Sequence, residues 1–393
     1  MLAAEGAEEQ RAHSLAATSC SLAKYSVTLY NGRAVPSSKS SIGRHSERSI
    51  NTLDTSATPS CAQSASLDSA AGAAVWLGAQ KQAHDWVVTF GGDECAELVR
   101  AAEGIRGRSF EELRREDFPI PRTAAKLAGV AQELERGSGF VMLRGLPVDV
   151  LPRDLVQTIY WGIGLQMGIG VSQSVAGDRL GHVYDRGTGE KERYYTRGGA
   201  LEFHMDPVDV VGLLCLHPAR SGGASRIVSA GAVYNVIRAE RPDVLEVLCR
   251  GFHNSRRGHG VFKPSDRVPV FMPGSQGLEC YFLPATIRQA ATEGCPLSAR
   301  EAEAIALMEE VANRPGVFLD MDFRVGDIQF LSNRTILHAR TDYVDYDEPE
   351  RKRHLLRLWL MMPDWSPRPA AMDFQERVDR AGGGVAPARG SAG

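Results

Sequence analysis

Residues 208–216 read Val-Asp-Val-Val-Gly-Leu-Leu-Cys-Leu, an almost unbroken apolar run that stops just before Pro218. Nine such residues read as a buried strand. Further strands surround it in sequence. Val317, Leu319, Met321 and Phe323 alternate with other residues, and a turn at Gly326–Asp327 leads into a second apolar run at 328–331. Residues 354–362 read as one more strand. Two helices interrupt this region, one starting near Ser229 and one at Ser298, where Glu301 completes a capping box. Upstream the pattern is helical. Asp93 is expected to cap a helix running to about Ala102. Thr123 is expected to cap another, with Ala124, Leu127, Ala131 and Leu134 on one face and Gly137 ending it. Residues 140–143 are a short buried strand, and Pro152 opens a helix toward Gln166. Helices in front of many strands predict an α+β fold with a β-sandwich or barrel core.

The chain of 393 residues suffices for one large domain or two modest ones. Residues 1–70 are rich in Ser, Ala and Thr and poor in large apolar side chains, so they cannot offset their ordering entropy. They are expected to be a disordered extension or to reflect an upstream start. Residues 71–370 form the expected catalytic domain and 371–393 a loose tail. A net charge of −3 with no basic block gives neither nucleic acid nor a membrane surface an electrostatic footprint. No apolar run reaches the roughly 18 residues that span a bilayer. The seven cysteines are scattered and never form a C-x-x-C pair, which argues for reduced thiols in a cytoplasm and against a thiolate metal site. No secretory signal is evident, and Glu5, Glu8 and Glu9 argue against a mitochondrial transit peptide.

Three segments carry chemistry. In Phe203-His204-Met205-Asp206 the imidazole and the carboxylate are two apart, so on a strand they face one side. That supplies two thirds of a 2-His-1-carboxylate facial triad. Taken alone, an H-x-D pair is more often a satisfied core histidine. His338 follows the strand-like run 328–331 and a polar turn at Ser332–Asn333, and would bring a third ligand from a distant strand. In Arg353-His354-Leu355-Leu356-Arg357 the two arginines share a strand face, and two guanidinium groups facing an apolar interior are costly unless an anion meets them. A dicarboxylate is such an anion.

Together these segments resemble the taurine dioxygenase/clavaminate synthase-like (TauD/TfdA) family of iron(II)- and 2-oxoglutarate-dependent oxygenases, over residues 76–363. The resemblance implies a double-stranded β-helix (jelly-roll) core with flanking helices. It implies His204, Asp206 and His338 as iron ligands and as the catalytic set. It implies Arg353 as the grip on the distal carboxylate of 2-oxoglutarate, with Arg357 facing the substrate or supporting the cosubstrate. Gly222-Gly223-Ala224-Ser225 resembles the family's glycine-glycine-x-threonine turn, with the Ser225 hydroxyl on the same carboxylate. The implied cofactor set is Fe(II), 2-oxoglutarate and O2, with succinate and CO2 released. Halogenating relatives lack the carboxylate ligand, so Asp206 favours oxidation of a small molecule over halogenation, first of all hydroxylation, with desaturation, ring formation and oxidative heteroatom cleavage left open. The basic residues suggest an anionic or zwitterionic substrate. Assembly with further copies of the chain stays open. A catalytically inactive jelly-roll binding protein and a metal-assisted hydrolase stand as alternatives.

Other residues read more plainly. His217, beside Pro218, is expected to be a surface or satisfied histidine, and His354 a structural one. His253 and His259 fall in a solvated loop. Residues 184–199 are either a lid or an ordinary connection. Asn333 and Arg334 are assigned to their turn, Cys215 and Cys280 to the core, and Ser229 and Ser298 to helix caps.

Overall fold

The structure, a computed structural model, describes residues 68–185, 199–256, 264–274, 277–374 and 383–385. The expected extension, apart from its last three residues, and most of the expected tail lie outside that set. The described residues all fall in the second of two units, Met1–Pro59 and Ser60–Gly393, into which the chain's contacts divide.

The strands in chain order are β1 (Val87–Thr89), β2 (Phe140–Arg144), β3 (Ile169–Gly170), β4 (Leu180–Val183), β5 (Leu201–His204), β6 (Val210–His217), β7 (Ser221–Gly222), β8 (Ser225–Ser229), β9 (Phe271–Gly274), β10 (Gly277–Cys280), β11 (Leu319–Met321), β12 (Ile328–Ser332), β13 (Ile336–Arg340), β14 (Tyr343–Val344) and β15 (His354–Met361). The α-helices are α1 (Gly92–Ile105), α2 (Pro121–Arg136), α3 (Arg153–Met167), α4 (Ala230–Glu240), α5 (Pro242–Arg250), α6 (Pro284–Thr292) and α7 (Ala299–Ala312).

Seven strands form a large sheet in the order β1-β2-β12-β6-β15, with β3 and β4 both paired to β15. Every pairing in it is antiparallel except β1 with β2. A smaller antiparallel sheet runs β11-β8-β13-β5. The apolar run at 208–216 thus supplies the central strand β6, flanked by β12 and β15. Strand alternation then sorts side chains into layers. Leu356, Leu358 and Leu360 of β15 join one core cluster with Leu98, Leu127 and Ile159 of helices α1, α2 and α3. Each such buried leucine contributes roughly 1.5–3 kcal/mol. Gly212 in β6 faces that layer, where a Cβ would stand 2.6 Å from the Phe330 ring and 2.7 Å from the Tyr160 hydroxyl. The opposite face of the large sheet, through Met142, Val211, Leu331 and Trp359, meets Ile227 and Ile336 of the small sheet in a second cluster. Phe203, Val228 and Leu337 on the far side of the small sheet pack on α4, α5 and α7 in a third. The order is helices, large sheet, interior, small sheet, helices.

Most expected elements are present, and the differences have local causes. Gly91 caps α1, its N–H donating to the Glu94 carboxylate at 2.7 Å, so Asp93 sits inside the first turn instead of capping it. α2 begins at Pro121, and Thr123 is interior. Glu97 of α1 accepts the N–H groups of Arg122 and Thr123 and the Thr123 hydroxyl, so the cap comes from another helix. Only 319–321 of the expected alternation at 317–323 is strand. α5 and α6 were not anticipated, although each starts on a proline at its first position. Ser229 and Ser298 cap α4 and α7 as expected. Among the described residues no helix is long and apolar enough to cross a membrane.

Candidate active site

The small sheet places the two histidines. In its β13–β5 pairing His338 lies opposite His204, and their ring centroids are 4.2 Å apart. Asp206 reaches them differently from the expected continuous strand. β5 ends at His204, and the chain then turns. The Met205 N–H donates to the Phe282 carbonyl at 2.9 Å, and the Asp206 N–H donates to Asn333 Oδ1 at 3.0 Å. The side chain still meets both imidazoles: Asp206 Oδ1 is 3.9 Å from His204 Nε2, and Oδ2 is 3.7 Å from His338 Nε2. One donor atom from each residue lies within 4.8 Å of the others.

Their protonation states suit a cation. His204 Nδ1 lies 2.8 Å from the Glu202 carbonyl, which can only accept, so Nδ1 carries a hydrogen and Nε2 is the atom turned toward Asp206. Burial pushes the His338 pKa down to about 3, and the neighbouring His204 pushes the same way, so this ring is neutral. Burial alone would raise the Asp206 pKa. Arg357, both imidazoles and the Trp359 indole N–H, 2.9 Å from Oδ2, outweigh it and hold the carboxyl below its usual range. Two imidazoles and one carboxylate are the donor set of a facial-triad iron site.

The same cavity is lined by Ser225, Arg340, Arg353 and Arg357, with Val183, Leu213, Phe323 and Leu355 among its apolar walls. Arg353 stands just before β15 and is 4% exposed. Its backbone N–H donates to Asp345 Oδ1 at 2.7 Å, and its Nη2 lies 3.4 Å from the Gly223 carbonyl. Its Nη1 is buried with no hydrogen-bond partner among the described residues. Burial, helped by Arg340, lowers its pKa to about 10. Among the described residues this desolvated cation has no ion-pair partner. Arg357 donates from Nε to Gln173 Oε1 at 2.7 Å and lies 4.7 Å over the Trp359 ring. The Ser225 hydroxyl donates to Gln329 Oε1 at 2.8 Å, so its hydrogen is already engaged.

The remaining histidines are satisfied where they are described. His217 Nε2 is 3.1 Å from Arg153, His354 Nε2 is 2.9 Å from His182 Nδ1, and His253 Nδ1 donates to the Ser265 carbonyl. His259 and residues 186–198 of the lid candidate lie outside the described residues. Burial pushes both thiols up, Cys215 to about 12 and Cys280 well above its ordinary value, which fits core residues. Asn333 and Arg334 shape more than their turn, since Asn333 holds the Asp206 backbone and Arg334 pairs with buried Asp209 at 2.8 Å. Arg340 was missed, though its position two residues after His338 puts both on one strand face. Gln173, Asp209 and Tyr343 carried no local signal.

Residues 106–359 match the family model described as "Taurine catabolism dioxygenase TauD, TfdA family". The chain is 31% identical to FR-33289 synthase of Streptomyces rubellomurinus, over 74% of this chain and 89% of that protein. It is 30% identical to taurine hydroxylase-like protein SAT17 of Stachybotrys chartarum, over 72% and 77%. Asparagine oxygenase in complex with Fe(II), 2S,3S-3-hydroxyasparagine and succinate superposes with a TM-score of 0.56 at 17% identity, over 70% of this chain and 94% of that one. Non-haem iron oxygenase OrfP in complex with Fe and α-ketoglutaric acid superposes with a TM-score of 0.53 at 12% identity, over 70% and 93%. This chain belongs to the TauD/TfdA family and is a non-haem Fe(II)- and 2-oxoglutarate-dependent oxidoreductase.

Proposed function

We propose that the chain is a dioxygenase that hydroxylates a C–H bond of a small anionic or zwitterionic molecule, on a jelly-roll core whose two faces are the large and small sheets. His204, Asp206 and His338 are its iron ligands, Arg353 anchors the distal carboxylate of 2-oxoglutarate, and Ser225 and Arg357 support the bound anions. One observation carries this reading: a compact His-Asp-His cluster shares its cavity with a buried arginine that has a donor to spare.

Iron(II) and 2-oxoglutarate, when bound, would activate O2, with one oxygen atom going to succinate as CO2 leaves and the other going to the substrate. The chain's own groups do the rest. The two imidazoles offer Nε2 lone pairs, and the Glu202 carbonyl fixes the tautomer of one of them. Arg357 and the Trp359 indole N–H keep Asp206 ionised and aimed. Arg353 orients the dicarboxylate, since a guanidinium in a dry cavity binds a carboxylate far more tightly than in water. Leu213, Phe323 and Leu355 exclude water from the space between. Arg340 and Arg357 line that space beside Arg353, and guanidinium groups there suit a substrate carrying a negative group.

Anaerobic titration with iron(II) and then 2-oxoglutarate tests the reading. A weak visible charge-transfer band is expected. Arg353→Leu is expected to weaken 2-oxoglutarate binding by roughly a hundredfold, because it removes the partner of a desolvated carboxylate. Succinate release in air then separates an active enzyme from an inactive binding protein. A wild-type protein that binds iron but shows no band with 2-oxoglutarate would sink the proposal.

A further inference from the structure

Arg353 is not the only group near the proposed carboxylate anchor with an unused donor. The Tyr343 hydroxyl is also buried with no hydrogen-bond partner among the described residues. Tyr343 opens β14, and its ring lies 5.4 Å from the Arg353 guanidinium carbon and 5.1 Å from that of Arg340. Two guanidinium groups against one phenol ring place that hydroxyl where negative charge is wanted.

The glycine turn explains why the two side chains meet. Tyr343 pairs with Gly222 in the β7–β14 ribbon. A Cβ on Gly222 would stand 2.2 Å from the Asp342 carbonyl oxygen and 3.1 Å from Tyr343 Cα. A Cβ on Gly223 would stand 3.0 Å from Arg353 Nε and 3.3 Å from Tyr343 Cβ. Both glycines also have positive φ, at 71°. The double glycine therefore lets the tyrosine and the arginine settle against one piece of backbone. On that backbone Arg353 uses its Nη2 edge and leaves Nη1 unpaired.

We propose that Tyr343 is a cosubstrate-binding residue, its hydroxyl donating a hydrogen bond to the carboxylate of 2-oxoglutarate that Arg353 grips. Buried polar groups in folded chains are almost always paired, and with the ring and the guanidinium 5.4 Å apart a single bound carboxylate that accepts from both would satisfy the two orphans. Burial raises the phenol pKa, which keeps the hydroxyl a donor at neutral pH. Arg340, over the same ring, adds positive charge without having to touch the carboxylate.

The inference rests on Arg353 being the anchor, and the experiment keeps the two claims apart. Iron(II)-loaded protein is titrated anaerobically with 2-oxoglutarate and, separately, with 2-oxopentanoate, which keeps the chelating keto acid but lacks the distal carboxylate. Tyr343→Phe is expected to weaken 2-oxoglutarate binding roughly tenfold, the worth of one hydrogen bond to a charged group. Its iron(II) affinity and its weak binding of 2-oxopentanoate should match wild type. In a cycle with Arg353→Lys the two effects should be non-additive. Unchanged 2-oxoglutarate affinity in Tyr343→Phe overturns the assignment, and so does an equal loss for both keto acids, which would mark a merely structural ring. Failure of the anchor itself looks different: wild type would then bind the two keto acids equally well.

Discussion

Asp206 and Asp209 are three residues apart and both buried, yet their surroundings are built on opposite principles. Asp209 is saturated. It accepts from Arg334 Nε and Nη2, Arg368 Nε and the Met362 N–H, all at 2.7–3.0 Å. Those contacts tie the turn after β5 to the turn before β13 and to the end of β15, the three pieces of chain that frame the cavity. Asp206 accepts from one side-chain N–H, that of Trp359, and otherwise faces two imidazoles. The lesson is about where a fold leaves bonding capacity unused. At the hub every acceptor is filled, so the carboxylate serves stability. At the cavity Arg353 Nη1, with the Tyr343 hydroxyl on a ring beside that guanidinium, stays unfilled among the described residues, and that deficit is what an anion would make good.

The strongest way to break this contrast is to delete each carboxylate. Asp206→Ala should lower 2-oxoglutarate-dependent succinate formation by about a thousandfold or more, through loss of an iron ligand. Its metal-free unfolding midpoint in urea should fall far less than that of Asp209→Ala. Asp209→Ala strands Arg334 and Arg368 without a counter-charge, and should cost about 3–5 kcal/mol of stability. Equal destabilisation by the two variants would show that both aspartates are structural. Acid sharpens the comparison next. His338 has a folded pKa of about 3 against an ordinary 6.5, so the unfolded chain binds a proton there that the folded chain refuses. Stability of the metal-free protein should therefore fall as pH drops below about 6.5, with a slope of up to about 1.4 kcal/mol per pH unit for that group. His354, lowered to about 4, adds in the same direction. Asp209, with its pKa held below the usual carboxylate range despite burial, adds only at lower pH, as its own carboxyl takes up a proton. Replacing His338 by Gln should flatten the slope above pH 5 in urea midpoints taken across the range, and Asp209→Asn should not. The smallest effect belongs to Ser225→Ala. Its hydroxyl hydrogen is spent on Gln329, so 2-oxoglutarate affinity should change by only about two- to fivefold.

How much was legible in advance follows the range of each interaction. The convergence of His338 with His204 and Asp206 could be read from sequence because a strand, a polar turn and a histidine are contiguous, and even spacing brings Arg353 and Arg357 to one cavity although Arg353 stands just before β15. The capping box at Ser298 was equally local. The caps expected at Asp93 and Thr123 failed because both helices begin further upstream, with Glu94 accepting the Gly91 N–H and Glu97, from a neighbouring helix, accepting those of Arg122 and Thr123. Asp209 gave no sign of its role, since Arg334 and Arg368 lie 125 and 159 positions away. Tyr343 was hidden for a similar reason. Its importance comes from Gly222 and Gly223, far upstream, which allow the close approach.

The pairing of His338 with His204 has an evolutionary corollary. Because neighbouring positions on β13 look in opposite directions, losing or gaining one residue between Ile336 and His338 would turn the imidazole into the apolar layer against α4 and α7 and bring Leu337 or Ala339 round in its place. Two residues lost together would restore the outlook of the side chain while shifting its partner. Lineages descended from such a sheet are therefore expected to tolerate indels in this strand only in even steps, and to place their length variation in loops instead.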